Sequence, residues 1–388
     1  MIKKLRRTWA EIDLDALKQN YKNIRSLVAP ATKIMAVVKA DAYGHGDVRV
    51  AHALDRQGAD WFAVSSISEA ARLRDAGIEK PILILGYTPI SRAYQLHQLQ
   101  ITQTVYSYEY GKKLSDALCD VGEIDIHIKI DSGMSRLGYF GENAVQEIAD
   151  TVKLPNLKAD GIFTHFTCAD EFDDESVAFT QEQYRIFTDI ISKLEQKGIV
   201  FALHHCCNSA ATLCRPEYHM DMVRPGLIMY GIDPTGKSPV QLTPVMRFKS
   251  VVGMVKEKQA GNVVSYGNTY RLDKPTRIAT VPIGYADGYH RALSNKGYLC
   301  RDGQKLPIIG RICMDQLMVD AGDTDLKIGD ELIVFGTEKD GVTAADLAKL
   351  CDTIPYELIC VLGKRVQRVY VQDGKVRHIV DYMVEENH

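Results

Sequence analysis

The chain has 388 residues, enough for two domains or for one barrel with an appendage. Hydrophobic residues make up 46% and charged residues 25%, with a formal net charge of −3; this balance fits a soluble globular protein and argues against a nucleic-acid partner. No stretch reaches the roughly 18 apolar residues of a membrane span, and the basic start Lys3-Lys4-Leu5-Arg6-Arg7 runs into Glu11 and Asp13 instead of a secretory apolar segment, so a cytoplasmic protein is expected.

Taken in order, the first two thirds alternate short β-branched runs with helical patterns. A helix over 14–28 has Asp13 as its N-cap and Leu14, Leu17, Tyr21, Ile24 and Val28 as its apolar stripe. Strands are expected at 33–39, 61–65, 81–85, 104–106, 124–131, 158–164, 201–206 and 222–229. Between them lie amphipathic stretches, among them 68–76, closed by Gly77, and 176–196, with Tyr184, Phe187, Ile191 and Leu194 on one face. Eight strands with helices between them predict an α/β fold of the (β/α)8 TIM-type barrel, whose chemistry sits at the C-terminal ends of the strands. No glycine-rich dinucleotide fingerprint follows the first strand.

From about residue 240 the chain turns strand-rich: 246–256, 277–283, 305–318, 331–335 and 365–371, with Asp373-Gly374 turning into 375–382 and one helix at 344–351. The expected domains are a barrel over 11–240 and a mostly β C-terminal domain over 241–388 to which residues 1–10 lend a strand. The nine cysteines, an odd number with no C-x-x-C pair, read as reduced thiols. His204-His205-Cys206-Cys207 alternates across a strand, so the four cannot converge on one metal, and no metal site is expected.

The first barrel strand ends in Lys39, followed by Ala40-Asp41-Ala42-Tyr43-Gly44-His45-Gly46. By position this is either a solvated lysine at a strand end or a lysine in a mostly apolar pocket, where burial favours the neutral, nucleophilic amine. The segment from Val38 to Gly46 resembles the cofactor-lysine signature of bacterial alanine racemases, with Asp41 where asparagine is commoner. Further motifs follow in the family's order along nearly the whole chain: 129–138, 164–166, 208–210, 223–226, 264–267, 284–288, 310–316 and 354–357.

The resemblance implies an isomerase that interconverts L- and D-alanine, supplying D-alanine for peptidoglycan, with pyridoxal 5'-phosphate bound covalently to Lys39. It implies two acid/base groups on opposite faces of the substrate, Lys39 and Tyr266. Tyr266 would come from the partner's β domain in a homodimer with shared active sites. A tyrosine's ordinary pKa near ~10 is high for a base at neutral pH, and in this family a histidine such as His165 with a nearby arginine answers that need. Arg224 is similar to the arginine that faces the pyridine nitrogen. As a pure donor it leaves that nitrogen unprotonated and the ring a weaker electron sink. Arg136 resembles the arginine on the cofactor's phenolic oxygen. Tyr43, Ser209, Gly226, Leu227 and Tyr356 are carried over as phosphate ligands, and Asn208 as an orienting residue.

Arg136, Met314, Asp315 and Tyr285 fall on the substrate side by the same resemblance, and Lys129 matches a lysine that is carbamylated in some relatives. Cys207 stands where alanine is common. The alternatives are a serine or broad-specificity racemase, against which Tyr356 argues by crowding the side-chain pocket, and a decarboxylase of the same architecture, which would place a carboxylate where Arg224 stands. A cofactor-binding protein without turnover would resemble the barrel alone.

Overall fold

Strands that are buried on both faces can only be covered by helices, and the first two thirds of the chain supply eight of them. The computed structural model describes residues 7–384, which form two compact units: residues 17–42 with 47–242, and residues 7–16, 43–46 and 243–384. Strand β1 (Thr8–Asp13) belongs to the second unit.

In the first unit, β2 (Lys33–Val37), β3 (Trp61–Val64), β4 (Ile82–Ile84), β5 (Thr102–Val105), β6 (Ile124–Lys129), β7 (Leu157–Phe163), β8 (Leu203–His205) and β9 (Met222–Val223) form one parallel sheet in the order β8-β7-β6-β5-β4-β3-β2-β9. The sheet is nearly closed into a barrel. At the seam, Asp221 N donates to His204 O at 3.2 Å and Arg224 N to Cys207 O at 3.0 Å. All four residues of β3 and of β5 are buried, as a strand sandwiched between a barrel interior and an outer helix layer requires.

The helix Ile67–Asp75 starts from a capping box in which Ser66 and Glu69 satisfy each other's backbone donors. The long helix Asp174–Gln196 buries Phe187, Ile190, Ile191 and Leu194; half-buried Tyr184 stacks on Tyr218 at 4.2 Å between centroids.

In the second unit, β10 (Met246–Val251), β11 (Met254–Lys258), β12 (Val263–Val264), β13 (Tyr270–Arg271), β14 (Thr276–Val281), β15 (Tyr298–Arg301), β16 (Gln304–Pro307), β17 (Leu317–Asp320), β18 (Glu331–Phe335), β19 (Gln367–Gln372) and β20 (Lys375–Val380) join β1. They make a seven-stranded sheet, β16-β15-β18-β10-β1-β19-β20, with separate sheets β11-β14-β17 and β12-β13. β1 lies between β10, antiparallel, and β19, parallel. β1 begins at Thr8; of the first ten residues, from which a strand was expected, residues 1–6 lie outside the described ones.

Three long strands expected from sequence are broken. The stretch 33–39 stops at Val37, 246–256 is interrupted at Val252-Gly253, and 305–318 divides into β16 and β17. In the last case Pro307 lacks a ladder donor and Gly310 takes φ +80°, which turns the chain into a loop reaching Met314. Likewise 222–229 is a two-residue strand, then Pro225 and a 3-10 turn over Leu227–Tyr230. Among the described residues no helix is long and apolar enough to cross a membrane.

Candidate active site

Lys39 opens a segment no periodicity announces. Ala40, Asp41, Ala42 and Tyr43 all hold φ of 52–54°, a left-handed helical turn without a glycine. Such a conformation costs on the order of 1–2 kcal/mol per residue, so it persists only where its backbone groups are tied down. Ala42 N donates to Val38 O at 2.9 Å, and Ala40 N to the Glu69 carboxylate at 2.7 Å. Asp47 N donates to Asp41 Oδ1 at 3.1 Å, a bond that asparagine's oxygen would accept equally well. The charge that Asp41 adds has Arg72 at 3.8 Å.

Within the second unit, buried Arg368 donates to Gly44 O at 2.9 Å and Tyr370 Oη to His45 O at 3.0 Å. A Cβ on Gly44 would meet Ile359 O at 2.0 Å, which makes glycine obligatory there.

In the first unit, the C-terminal ends of β6 to β9 gather cations around neutral histidines. Arg224 follows β9 and is buried. Its Nη1 donates to His205 Nδ1 at 2.8 Å, and its Nη2 to Thr164 O at 2.8 Å, Cys206 O at 3.2 Å and His165 Nδ1 at 3.3 Å. Guanidinium only donates, so both histidines present lone pairs at Nδ1 and carry their single proton on Nε2. Burial, then Arg224, holds His165 and His205 well below the ordinary histidine range, with Lys129, Arg136 and Lys39 adding to the effect on His165. His205 Nε2 lies 2.9 Å from His127 Nδ1, while His127 Nε2 is buried with no hydrogen-bond partner. Burying an unmatched donor costs about 1–3 kcal/mol.

The Phe163 ring contacts both buried cations: Lys129 Nζ and the Arg224 guanidinium each lie 5.3 Å from its centroid, and His205 stacks on it at 4.7 Å. Burial and then Arg224 pull the Lys129 ammonium down to about 7, with Asp131 opposing and Arg136 assisting. Arg136 itself is exposed on a loop that Asp131 shapes by accepting from Gly133 N and Ser135 N, both at 3.0 Å. Ser209 Oγ accepts from Gly226 N at 2.9 Å, beside buried Leu227, and Asn208 caps the helix Ser209–Cys214 through Ala211 N. Cys207 fills its position with a thiol directed at Tyr218 O, 3.1 Å away.

The remaining expected residues lie in the second unit. Tyr43 and Tyr356 meet with ring centroids 6.0 Å apart; burial, then Tyr356, raises the Tyr43 phenol's pKa. Tyr266 sits between β12 and β13 with 70% of its surface exposed, and Met314 and Tyr285 are exposed at 53% and 43%. Tyr285 N donates to Cys313 O and Ala286 N to Met314 O, both at 3.1 Å, so these two loops are held together. Asp315 is engaged by Arg365 at 2.7 Å, and Arg365 with Arg7 also binds the fully buried Asp287.

Thus Lys129, His165, Arg224 and their neighbours converge in one unit, and Tyr285 with Met314 and Tyr43 with Tyr356 pair in the other. Glu69, His127 and the structural part of His205 do not stand out in the sequence as site residues. Signals for two of them were present. Ser66-x-x-Glu69 is a capping-box pattern. In β6, period-two alternation sets Asp125, His127 and Lys129 on one face, with Ile124, Ile126 and Ile128 on the other.

The family model for the alanine racemase N-terminal domain matches residues 12–234, and that for the C-terminal domain matches residues 245–370. A curated relative, alanine racemase of Desulfovibrio desulfuricans, is 44% identical over 371 residues, which is 95% of this chain and 99% of the relative. The solved structure of alanine racemase from Clostridium difficile 630 gives a TM-score of 0.93 at 41% identity, covering 98% of this chain and 100% of that one. Alanine racemase from Bacillus anthracis with bound L-Ala-P gives 0.93 at 33% identity, covering 97% and 98%. With both family domains matched in order and relatives aligned end to end, the chain belongs to the alanine racemase family.

Proposed function

We propose that this chain interconverts L- and D-alanine with pyridoxal 5'-phosphate held on Lys39. The observation that carries the reading is the set of partners around Arg224, all of them neutral: two imidazole nitrogens and two carbonyls. Its charge is left undiminished toward a ligand, as an arginine facing a pyridine nitrogen requires; the decarboxylase alternative would need a carboxylate at that place.

The residues present fit the cofactor. Lys39, Lys129, Arg136 and Arg224 all act on His165 electrostatically, which suits a phosphate and a phenolic oxygen. Ser209, Gly226, Leu227, Tyr43 and Tyr356 would hold the phosphate, Arg136 the phenolic oxygen and Asn208 the orientation. When bound, the cofactor supplies a conjugated ring that takes up the electron pair left by the departing α-proton.

This chain's own groups then manage protons. Lys39 Nζ accepts or returns a proton on one face of the substrate's α-carbon. Tyr266 of the partner subunit does so on the other. His165, with Nδ1 committed to Arg224, offers its Nε2–H to the Tyr266 oxygen and so stabilises the phenolate that a base at neutral pH must become. Met314, through its backbone amide, and Tyr285 would border the substrate's carboxylate. Asp315, paired with Arg365, would hold that loop in place. The exposure of Tyr266, Met314 and Tyr285 supports a homodimer in which a second copy covers them. Lys129 is a candidate for carbamylation: its weakened ammonium supplies the free amine that carbon dioxide needs, and the product would face Arg136 as an anion.

The test is chiral analysis of the purified protein with pyridoxal phosphate and L-alanine or L-serine. D-alanine should accumulate toward an equal mixture, with serine lagging well behind because Tyr356 leaves room for a small side chain. Equal inversion of serine would replace the alanine reading with a broad one. Release of carbon dioxide without inversion would favour the decarboxylase.

A further inference from the structure

The neutral histidines under Arg224 extend one step further than binding a cofactor demands. Arg224 can only donate, so the 2.8 Å bond to His205 Nδ1 leaves His205 its proton on Nε2. That proton points at His127 Nδ1, 2.9 Å away, which must therefore be a lone pair. His127 in turn keeps its own proton on Nε2, where no acceptor waits. The Trp61 ring lies 5.2 Å from the His127 ring, and a Cβ on Gly161 would come within 2.6 Å of His127 Nε2. The opposite order, with His127 donating to His205, would put a His205 Nδ1–H against a guanidinium N–H.

We propose that Arg224, His205 and His127 form a buried one-way hydrogen-bond relay, in which Arg224 sets the His205 tautomer and His127 is the positioning residue that holds the His205 ring in place and thereby the Arg224 guanidinium. The fully buried His127 makes no use of its second nitrogen, and its orientation serves its first. Without an acceptor at His127 Nδ1, the His205 Nε2–H loses its partner, the imidazole is free to turn away, and Arg224 then loses one of the two nitrogen acceptors that aim it. The consequence for catalysis rests on the reading that Arg224 faces the cofactor ring, whereas the relay itself does not.

Histidine-selective 15N labelling of the protein as purified with its cofactor tests the relay directly. Each of the 11 histidines reports its tautomer through two-bond nitrogen–proton couplings, and loss of one ring in His127→Asn or His205→Asn assigns the pair. Both rings should show a protonated Nε2 and a bare Nδ1; a Nδ1–H or a cation at either position overturns the proposal. His127→Phe, which keeps a ring and deletes the acceptor, should lower kcat about tenfold with little change in KM, and should shift the visible absorbance of the bound cofactor. His127→Asn, whose oxygen can stand near the place of Nδ1, should recover most of both. Equal losses in the two variants would reduce His127 to a packing residue and sink the idea. A correct pair of tautomers in a protein that inverts no amino acid would instead leave the relay standing and remove the racemase reading.

Discussion

Asp47 sits directly after the lysine segment, buried, with Arg72 Nε at 3.1 Å and the Asp41 carboxylate accepting from its amide. Burial first, and then Asp41, raises its carboxyl from 3.8 to about 6, against the opposing pull of Arg72. A carboxyl raised in the folded state makes the native protein hold a proton that the unfolded chain has already released. Stability therefore falls as pH climbs from about 4 to about 6 and stays lowered above that, by an amount on the order of 3 kcal/mol. Asp47→Asn removes this term. Its melting temperature relative to wild type should be higher at pH 8 than at pH 5, and a difference that does not change with pH would refute the assignment. Most of the proposed site's side chains lie in compact sequence motifs, among them Lys39, Arg136, His165, Ser209 and Arg224, which is why the sequence alone could single them out as candidates. The left-handed turn was not legible, since Ala40 and Ala42 carry no sign of positive φ and the bonds that enforce it come from Glu69 and Asp47, remote or unremarkable in sequence.

At the scale of elements, β6 and β7 show how a buried histidine is made room for. Their register slips between Ile126 and His127, so that His127 faces Gly161 and Asp160 is left out of the ladder. This bulge sets the one residue without a side chain opposite the imidazole. Gly161→Ala would drive a methyl to within 2.7 Å of three ring atoms. The expected cost is about 1–3 kcal/mol, visible as a lower melting temperature by calorimetry, and no loss at all would mean that His127 moves aside freely. The strand count of the barrel came through in sequence because each strand leaves a short β-branched or apolar signal between helical patterns, as in Lys33–Val37 and Ile82–Ile84. The lengths of β9, β16 and β17 did not, because Pro225, Pro307 and Gly310 cut runs whose apolar pattern continues past them. The short strands β12 and β13 around Tyr266, and the helix Pro355–Cys360 that carries Tyr356, were too brief for periodicity to mark.

At the scale of the whole molecule, the proposed sharing of sites has an arithmetic consequence. Lys39→Ala and Tyr266→Phe each damage every site of a homodimer. In a mixed dimer, one site receives both lesions and the other receives neither. Unfolding and refolding an equal mixture should therefore restore about one quarter of wild-type activity, because half of the dimers are mixed and half of their sites are intact. Activity no greater than the sum of the two variants would show that Lys39 and Tyr266 act within one chain, or do not act together. The sequence carries no sign that 43–46 returns to the second unit, which depends on Arg368 and Tyr370. The placement of β1 between β10 and β19 also orders events in time. Trp9 aligns with Gln367 and Asp13 with Val371, so β1 waits during synthesis for a partner strand that follows it by about 358 residues (367 − 9). At synthesis rates of about 5–20 residues per second, that wait is roughly 20–70 s. Through it one side of β1 keeps its amides and carbonyls unpaired, an open template for another nascent chain, and the seven-stranded sheet of the second unit can close only once β19 has been made.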